Sequence, residues 1–330
     1  MEHVFFRNNL RPEEIRPDDG IERFKELVEA DSKIYFSEES LTAQPCPACG
    51  HTHFDRQFTK SGFSFVECQS CQTLYAEKVP SEADLKKFFR ESESFSYWFK
   101  EIWQPTKDVR SRKMIKPLYD WCMNFLCDIE DQTGLRVIDL FPKNLDLYRH
   151  WAEASPKSSY TVASPMCPIE RNVRTVEGLG DQDGQYDAAF LFDSLSFLRS
   201  PKDVLGWVKK HLDPKGLCFV TTPLWSGFEL SVLGKDSDTL LPPERLTLFS
   251  ASGFEKMAEA EGFRLLEFST PGQLDFEKVR AAVQASPSQY PNFIRNLCAS
   301  DSKDVGWEFQ RFLQEQRMSS LGRIVLEHRD

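Results

Sequence analysis

Four cysteines in this sequence are paired by spacing. Cys46-Pro47-Ala48-Cys49 is followed, after 18 residues from Gly50 to Glu67, by Cys68-Gln69-Ser70-Cys71. Each C-x2-C knuckle turns tightly enough for both sulfurs to meet one ion, and two knuckles at this separation match a four-thiolate zinc site. Four protein thiolates leave the ion no open position, so such a zinc is structural. A redox dithiol is the rival reading, but it would not require two matched pairs. His51 and His53 flank the first knuckle and either replace a ligand or stand as exposed loop histidines. The other five cysteines, Cys122, Cys127, Cys167, Cys218 and Cys298, are scattered and read as core packing.

A second group of reactive types is the basic run Lys107, Arg110, Arg112, Lys113 and Lys116, which reads as a solvated helix face or as a phosphate-holding patch. The net charge of −10 argues against a general affinity for nucleic acid or for an anionic membrane surface. No apolar run approaches the ~20 residues of a membrane span. The N-terminal residues lack the apolar core of a signal peptide. Nine cysteines, an odd number, suit a reducing compartment with one metal site better than a disulfide scaffold. A cytoplasmic location is the expectation.

The elements that must position these groups follow from periodicity. Residues 1–40 hold one short amphipathic helix carrying Ile21, Phe24, Leu27 and Val28. Residues 41–79 form a zinc ribbon, with Phe58, Phe63 and Phe65 on its strands. A module this small buries little apolar surface, so the metal supplies much of its folding energy. Residues 80–130 are a helical lead-in with Leu85, Phe88, Phe89, Tyr97, Trp98, Ile102 and Trp103; the charged stretch around Asp128 to Asp131, with Gly134, marks the turn into a sheet. Residues 131–330 are an α/β domain. Its centre is Gly184 to Pro223, which reads strand, helix, strand: Ala188 to Phe192, a helix from Pro201 stopped by Asp213-Pro214-Lys215-Gly216, then Leu217 to Val220. Arg136 to Phe141, Tyr160 to Ala163 and Val173 to Val176 are further strands. Phe263 to Phe268 and Arg323 to Glu327 complete a doubly wound, seven-stranded, mostly parallel sheet with the last strand antiparallel.

The stretch YDAAFLFDSLSFLRSPKDVLGWVKKHLDPKGLCFVTTP resembles the second half of a class I S-adenosylmethionine-dependent methyltransferase domain. It is most similar to methyltransferases that carry a small N-terminal zinc module, several of which act on sugars. The resemblance implies S-adenosylmethionine as cofactor, with Asp139 and Asp193 at its pocket. It also implies Tyr97 and Trp98 as lid residues over the cofactor mouth, against a reading of these rings as core.

The sequence departs from that pattern where the cofactor would rest. The family's D-x-G-x-G-x-G loop reads Asp139, then Phe141, Lys143 and Leu145 at the glycine positions, with Pro142 removing a backbone donor. Each replacement adds a side chain where cofactor would lie. The strand Tyr160 to Ala163 ends in Ser164-Pro165 with no acid for a ribose. Only Pro165 to Asn172 remain for a crossover helix, which normally needs ~10–12 residues. Three histidines of the family pattern are replaced, by Phe197, by Arg245 in Pro242-Pro243-Glu244-Arg245, and in Met318-Ser319-Ser320-Leu321. The reading favours a non-catalytic, methyltransferase-like protein whose partner contacts the ribbon. The alternative is an active S-adenosylmethionine-dependent enzyme on a sugar, sugar nucleotide or related small molecule. In a remodelled cleft, Lys143, Trp225, Glu244 and Arg245 are the candidates to grip a different ligand.

Overall fold

The computed structural model describes residues 10–127, 134–180, 184–300 and 304–328. The turn expected around Asp128 to Asp131 lies outside them.

The first long element is α1, Asp18–Tyr35, eighteen residues against the short helix expected. Its apolar side buries Phe24, Leu27 and Val28, and its C-terminal turns, with Asp31 and Ser32 buried, extend it beyond the four positions that signalled it. The four-cysteine module follows, with antiparallel strands β1 (Phe54–Lys60), β2 (Phe63–Cys68) and β3 (Leu74–Ala76). Helix α2, Glu82–Glu91, is capped by Ser81, whose side chain accepts from the Asp84 amide, and buries Leu85, Phe88 and Phe89. The chain then winds through π-helical turns at Trp98–Trp103 and Ser111–Ile115 into α3, Lys116–Leu126.

The large sheet opens with β4 (Arg136–Leu140), α4 (Asp146–Ala154), β5 (Ser159–Ala163) and β6 (Arg174–Val176). It continues with β7 (Tyr186–Phe192), α5 (Pro201–His211) and β8 (Leu212–Pro223). The short β9 (Thr247–Leu248) leaves this sheet. Then come α6 (Ala251–Ala260), β10 (Phe263–Ser269), α7 (Asp275–Ala285), α8 (Val305–Glu315) and β11 (Leu321–His328). The strand order is β10-β11-β8-β7-β4-β5-β6, seven strands with β11 antiparallel to both neighbours and the rest parallel. Both expectations, seven strands and an antiparallel last one, are met.

One local expectation fails. The helix ends at His211, ahead of Asp213-Pro214-Lys215-Gly216, and β8 begins at Leu212 beside Tyr186, so the expected turn sits within the strand as an irregularity between Leu212 and Leu217. Gly216 is fixed there because a Cβ would come within 2.7 Å of the Tyr186 carbonyl oxygen. The expected shortage of a crossover helix holds: no helix joins β5 to β6 among the described residues.

Alternation along the strands sends side chains to two cores. Val137, Val162, Phe190 and Phe219 face α3 and α4, with Trp121, Cys122 and Trp151. Ile138, Leu140, Ala189, Leu191 and Val220 face α5 and α6, and that core runs on without a break into Phe63, Phe65 and Tyr75 of the four-cysteine module. The module is therefore welded to one face of the sheet. Its own sheet is completed by β9, in the order β9-β3-β2-β1.

Candidate functional site

In an open α/β sheet, ligands bind outside the carboxyl ends of the strands, where the strand order reverses. Here the reversal lies between β4 and β7, since the chain runs from β4 to β5 and β6 on one side and then crosses to β7 on the other. Three residues that immediately follow strand ends there have left-handed backbone: Phe141 (φ 57°), Ser164 (φ 45°) and Asp193 (φ 58°). Glycine adopts this region freely, whereas a side chain costs on the order of 1 kcal/mol or more. Phe141 thus keeps, at the first glycine position of the loop, the backbone shape a glycine would supply. Such residues persist only where their surroundings over-determine them. Here the Phe141 amide donates to the Ala163 carbonyl at 2.8 Å, and the Met166 amide to the Pro142 carbonyl at 3.0 Å. The loop backbone is stitched to the end of β5.

Across this crevice four side chains form a closed ring of ion pairs. Lys143 Nζ lies 3.1 Å from Asp193 Oδ2 and 2.5 Å from Glu244 Oε1. Arg245 Nη2 pairs with the same Asp193 oxygen, and Arg245 Nη1 lies 3.7 Å from Glu244 Oε1. Two cations and two anions alternate, so the ring is neutral. Burial pushes the Glu244 carboxyl up, but Lys143 and Arg245 outweigh it and hold it down to about 2. Burial likewise pulls against the Arg245 charge, and Asp193 and Glu244 restore and exceed it. The ammonium of Lys143 also stands 5.6 Å from the centre of the Phe197 ring, a cation–π contact at a position where the family pattern has histidine. The buried Nε of Arg245 has no acceptor among the described residues. Three of the four candidates to grip a ligand are thus brought together, and they grip each other.

The remaining candidates are placed elsewhere. Trp225 turns to the four-cysteine module, donating from Nε1 to Glu67 Oε2 at 2.7 Å and lying 6.4 Å from the Phe58 ring. Asp139 faces the α3–α4 core; it is 5% exposed and accepts from the Tyr160 hydroxyl at 2.8 Å. Burial raises its carboxyl to about 7, opposed only by that hydrogen bond. Of the bulky replacements in the loop, Phe141 belongs to the larger core and Leu145 to the opposite one, so only Lys143 reaches across. The Asp146 amide, at the start of α4, is taken by Asn144 Oδ1 at 3.1 Å. Tyr97 and Trp98 pack against an apolar cluster with Phe24, Phe95, Ile102 and Leu241. Arg110, expected on a solvated or phosphate-binding face, is 5% exposed, with its guanidinium 4.5 Å from the Trp103 ring and Nε donating to Thr106. Its neighbours Lys113 and Lys116 pair with Glu14 and Asp120.

A further set escaped the sequence reading. Arg90, on α2, donates to the Pro165 carbonyl at 2.8 Å, at the end of β5 where a ribose-binding acid would stand. On the same helix, Lys86 pairs with Glu177, and Phe89 lies 5.1 Å from the Phe197 ring. Helix α2 therefore lies over the crevice. The only signal was its apolar spacing, which says that a helix packs but not on what. Beside it a cavity of about 370 Å³ remains, lined by Arg90, Cys167, Pro168, Ile169 and Glu177.

The second chemical centre is the four cysteines. Their sulfurs all lie within 4.8 Å of one another, with Cys46 to Cys71 at 3.6 Å and Cys49 to Cys68 at 3.5 Å. A tetrahedral ion with metal–sulfur bonds of about 2.3 Å sets its sulfurs about 3.8 Å apart. The donor set fits. Cys46, Cys68 and Cys71 are buried and Cys49 is partly so, whereas His51 and His53 are exposed, their rings tilted against each other with centroids 5.1 Å apart.

Residues 129–267 match a family model described as a methyltransferase domain. No curated protein matches. Among solved structures, one similar chain is a candidate sarcosine dimethylglycine methyltransferase from Galdieria sulphuraria. It is 16% identical over 70% of this chain and 89% of that one, with a TM-score of 0.42. A coclaurine N-methyltransferase bound to N-methylheliamine and SAH is 13% identical over 63% and 71%, with a TM-score of 0.38. The complex of the Haloferax volcanii Trm112 methyltransferase activator with a candidate methyltransferase gives 13% identity over 68% and 96%, with a TM-score of 0.42. The matched residues and the strand order together identify a methyltransferase-like α/β fold.

Proposed function

We propose that this chain is a methyltransferase-like protein with a structural zinc ion on Cys46, Cys49, Cys68 and Cys71 and with a cofactor cleft closed from within. Its role is then binding or scaffolding, with the zinc-bearing module as a contact surface for a protein partner, and not methyl transfer. One observation carries this reading: the ring of Lys143, Asp193, Arg245 and Glu244 spans the crevice at the reversal of the sheet. To admit S-adenosylmethionine the ring must open. The ring is only partly buried, with the Asp193 side chain 36% exposed, so breaking a pair without replacement costs about 1–3 kcal/mol, and a cofactor carrying its own ammonium and carboxylate must recover that from the same side chains. The residues present do not fit the cofactor: Arg90 holds the Pro165 carbonyl where a ribose would be gripped, and Asn144 holds the first amide of α4.

Calorimetric titration with S-adenosylmethionine and S-adenosylhomocysteine tests this. The reading expects no saturable heat with either. Micromolar binding reverses it in favour of the second reading, an active S-adenosylmethionine-dependent enzyme on a sugar or related small molecule, which the match over residues 129–267 supports.

A further inference from the structure

The two centres described above are joined by one short segment. Arg245 is followed by Leu246, whose carbonyl accepts from the Ala76 amide of the four-cysteine module at 2.7 Å. Thr247 and Leu248 then pair with Tyr75 and Leu74 as the edge strand β9 of the module's sheet. On its other side the same segment is tied to the crevice, because the amides of Leu246 and Thr247 both donate to the Ser196 carbonyl at 2.8 Å. Ser196 lies three residues beyond Asp193, the acceptor of both cations in the ring.

The segment's far end reaches the second knuckle itself. The Ser250 hydroxyl donates to the Cys71 carbonyl, and the Ser250 amide donates to Thr73 Oγ1 at 3.3 Å. Cys71 Sγ contacts the same Thr73 oxygen at 3.4 Å. The start of α6 is pressed so closely on this knuckle that a Cβ on Gly253 would come within 2.3 Å of Thr73 Oγ1 and 3.3 Å of Cys71 Sγ. Thr73 and Ser250 are buried, so no water competes for these bonds.

We infer that metal on the four cysteines acts as a latch on the crevice: the loaded module holds β9 in its sheet, and β9 holds Glu244 and Arg245 against Lys143 and Asp193. The inference rests on the zinc reading and on the closed-cleft reading given above. Its physical content is that the ion draws the two knuckles together: the apolar core of the module continues into that of the large sheet, so what the metal adds is the knuckle geometry on which Ser250 and Thr73 are pinned. When the metal leaves, β9 loses its partner strand and the knuckle that pins Ser250. The two ring residues immediately before β9 then lose their anchor on that side. The crevice opens locally, while the seven-stranded sheet, held by its strand ladders and by the α3–α4 core that the module does not share, stays folded. The ligand this would expose is one that can pair with the freed groups, a small molecule carrying both an anion and a cation.

Hydrogen exchange on the full chain, read by mass spectrometry before and after treatment with a zinc chelator, tests the latch. Native mass spectrometry first counts the metal. The expected result is one zinc per loaded chain and, after its removal, exchange at least about tenfold faster in residues 244–250 and 193–197, with 136–140 and 217–222 unchanged. A Thr73→Val variant that still holds zinc is expected to show faster exchange in 244–250 without chelation. If the module loosens while 244–250 keeps its protection, or if every peptide accelerates equally, the latch is overturned. A chain that takes up no zinc overturns the metal reading itself, which is a different failure from a loaded chain whose crevice is indifferent to chelation.

Discussion

At the scale of single residues, Asp139 and the ion ring make opposite demands on charge. Asp139 is raised from 3.8 to about 7 by burial, so between these values the folded chain binds more protons there than the unfolded chain does. Its contribution to stability is therefore present at low pH, falls as pH rises from about 4 to about 7, and is lost above. Asp139→Asn removes that dependence while keeping an acceptor for Tyr160. Urea unfolding should find the variant more stable than the parent by on the order of 2–4 kcal/mol at pH 8, with the gap closing toward pH 4. A gap that does not change with pH would show that Asp139 does not titrate in this range. In the ring, Lys143→Met leaves two carboxylates facing one guanidinium, and should cost about 1–3 kcal/mol. Adding Asp193→Asn should recover part of that loss, since the two side chains share one contact. Strict additivity in the double-mutant cycle would mean that the pair is not coupled.

At the scale of elements, much was legible and the failures have physical causes. Strand runs such as Ala188 to Phe192 were readable because burial on both faces leaves marks in adjacent residues. The paired cysteines were readable because one ion imposes its spacing on the chain. The partners of Trp225 and Arg90 were not readable. Glu67 lies 158 residues from Trp225, and Pro165 lies 75 from Arg90, so no local pattern encodes them. Phe141 and Leu145, expected to fill the cofactor's place, lie in the two cores instead, because a loop position does not say which face its side chain turns to. Gly253 illustrates an element-scale constraint, since α6 can approach the second knuckle only without a Cβ. Gly253→Ala should lower the denaturation midpoint by an amount corresponding to about 1–3 kcal/mol. It should do so without changing zinc stoichiometry, as measured by urea unfolding with elemental analysis. An unchanged midpoint would indicate that α6 does not bear on the module.

For the whole molecule, the continuous core from the sheet into the four-cysteine module makes the two parts one folding unit on that side. The ion ring sits where they meet, at the reversal of the sheet, and α2 lies over it. Among the described residues no helix is long and apolar enough to cross a membrane. The departures at Phe141, Lys143, Ser164 and Arg245 thus combine in space: left-handed backbone remains at the strand ends, while side chains join across the crevice. Crystals of the zinc-loaded chain grown with excess S-adenosylhomocysteine test this most directly. The account predicts Lys143 still paired with Asp193 and Glu244, and no nucleoside density outside the ends of β4 and β7. Nucleoside density there, with Lys143 swung away and the Arg245 segment displaced, would contradict it.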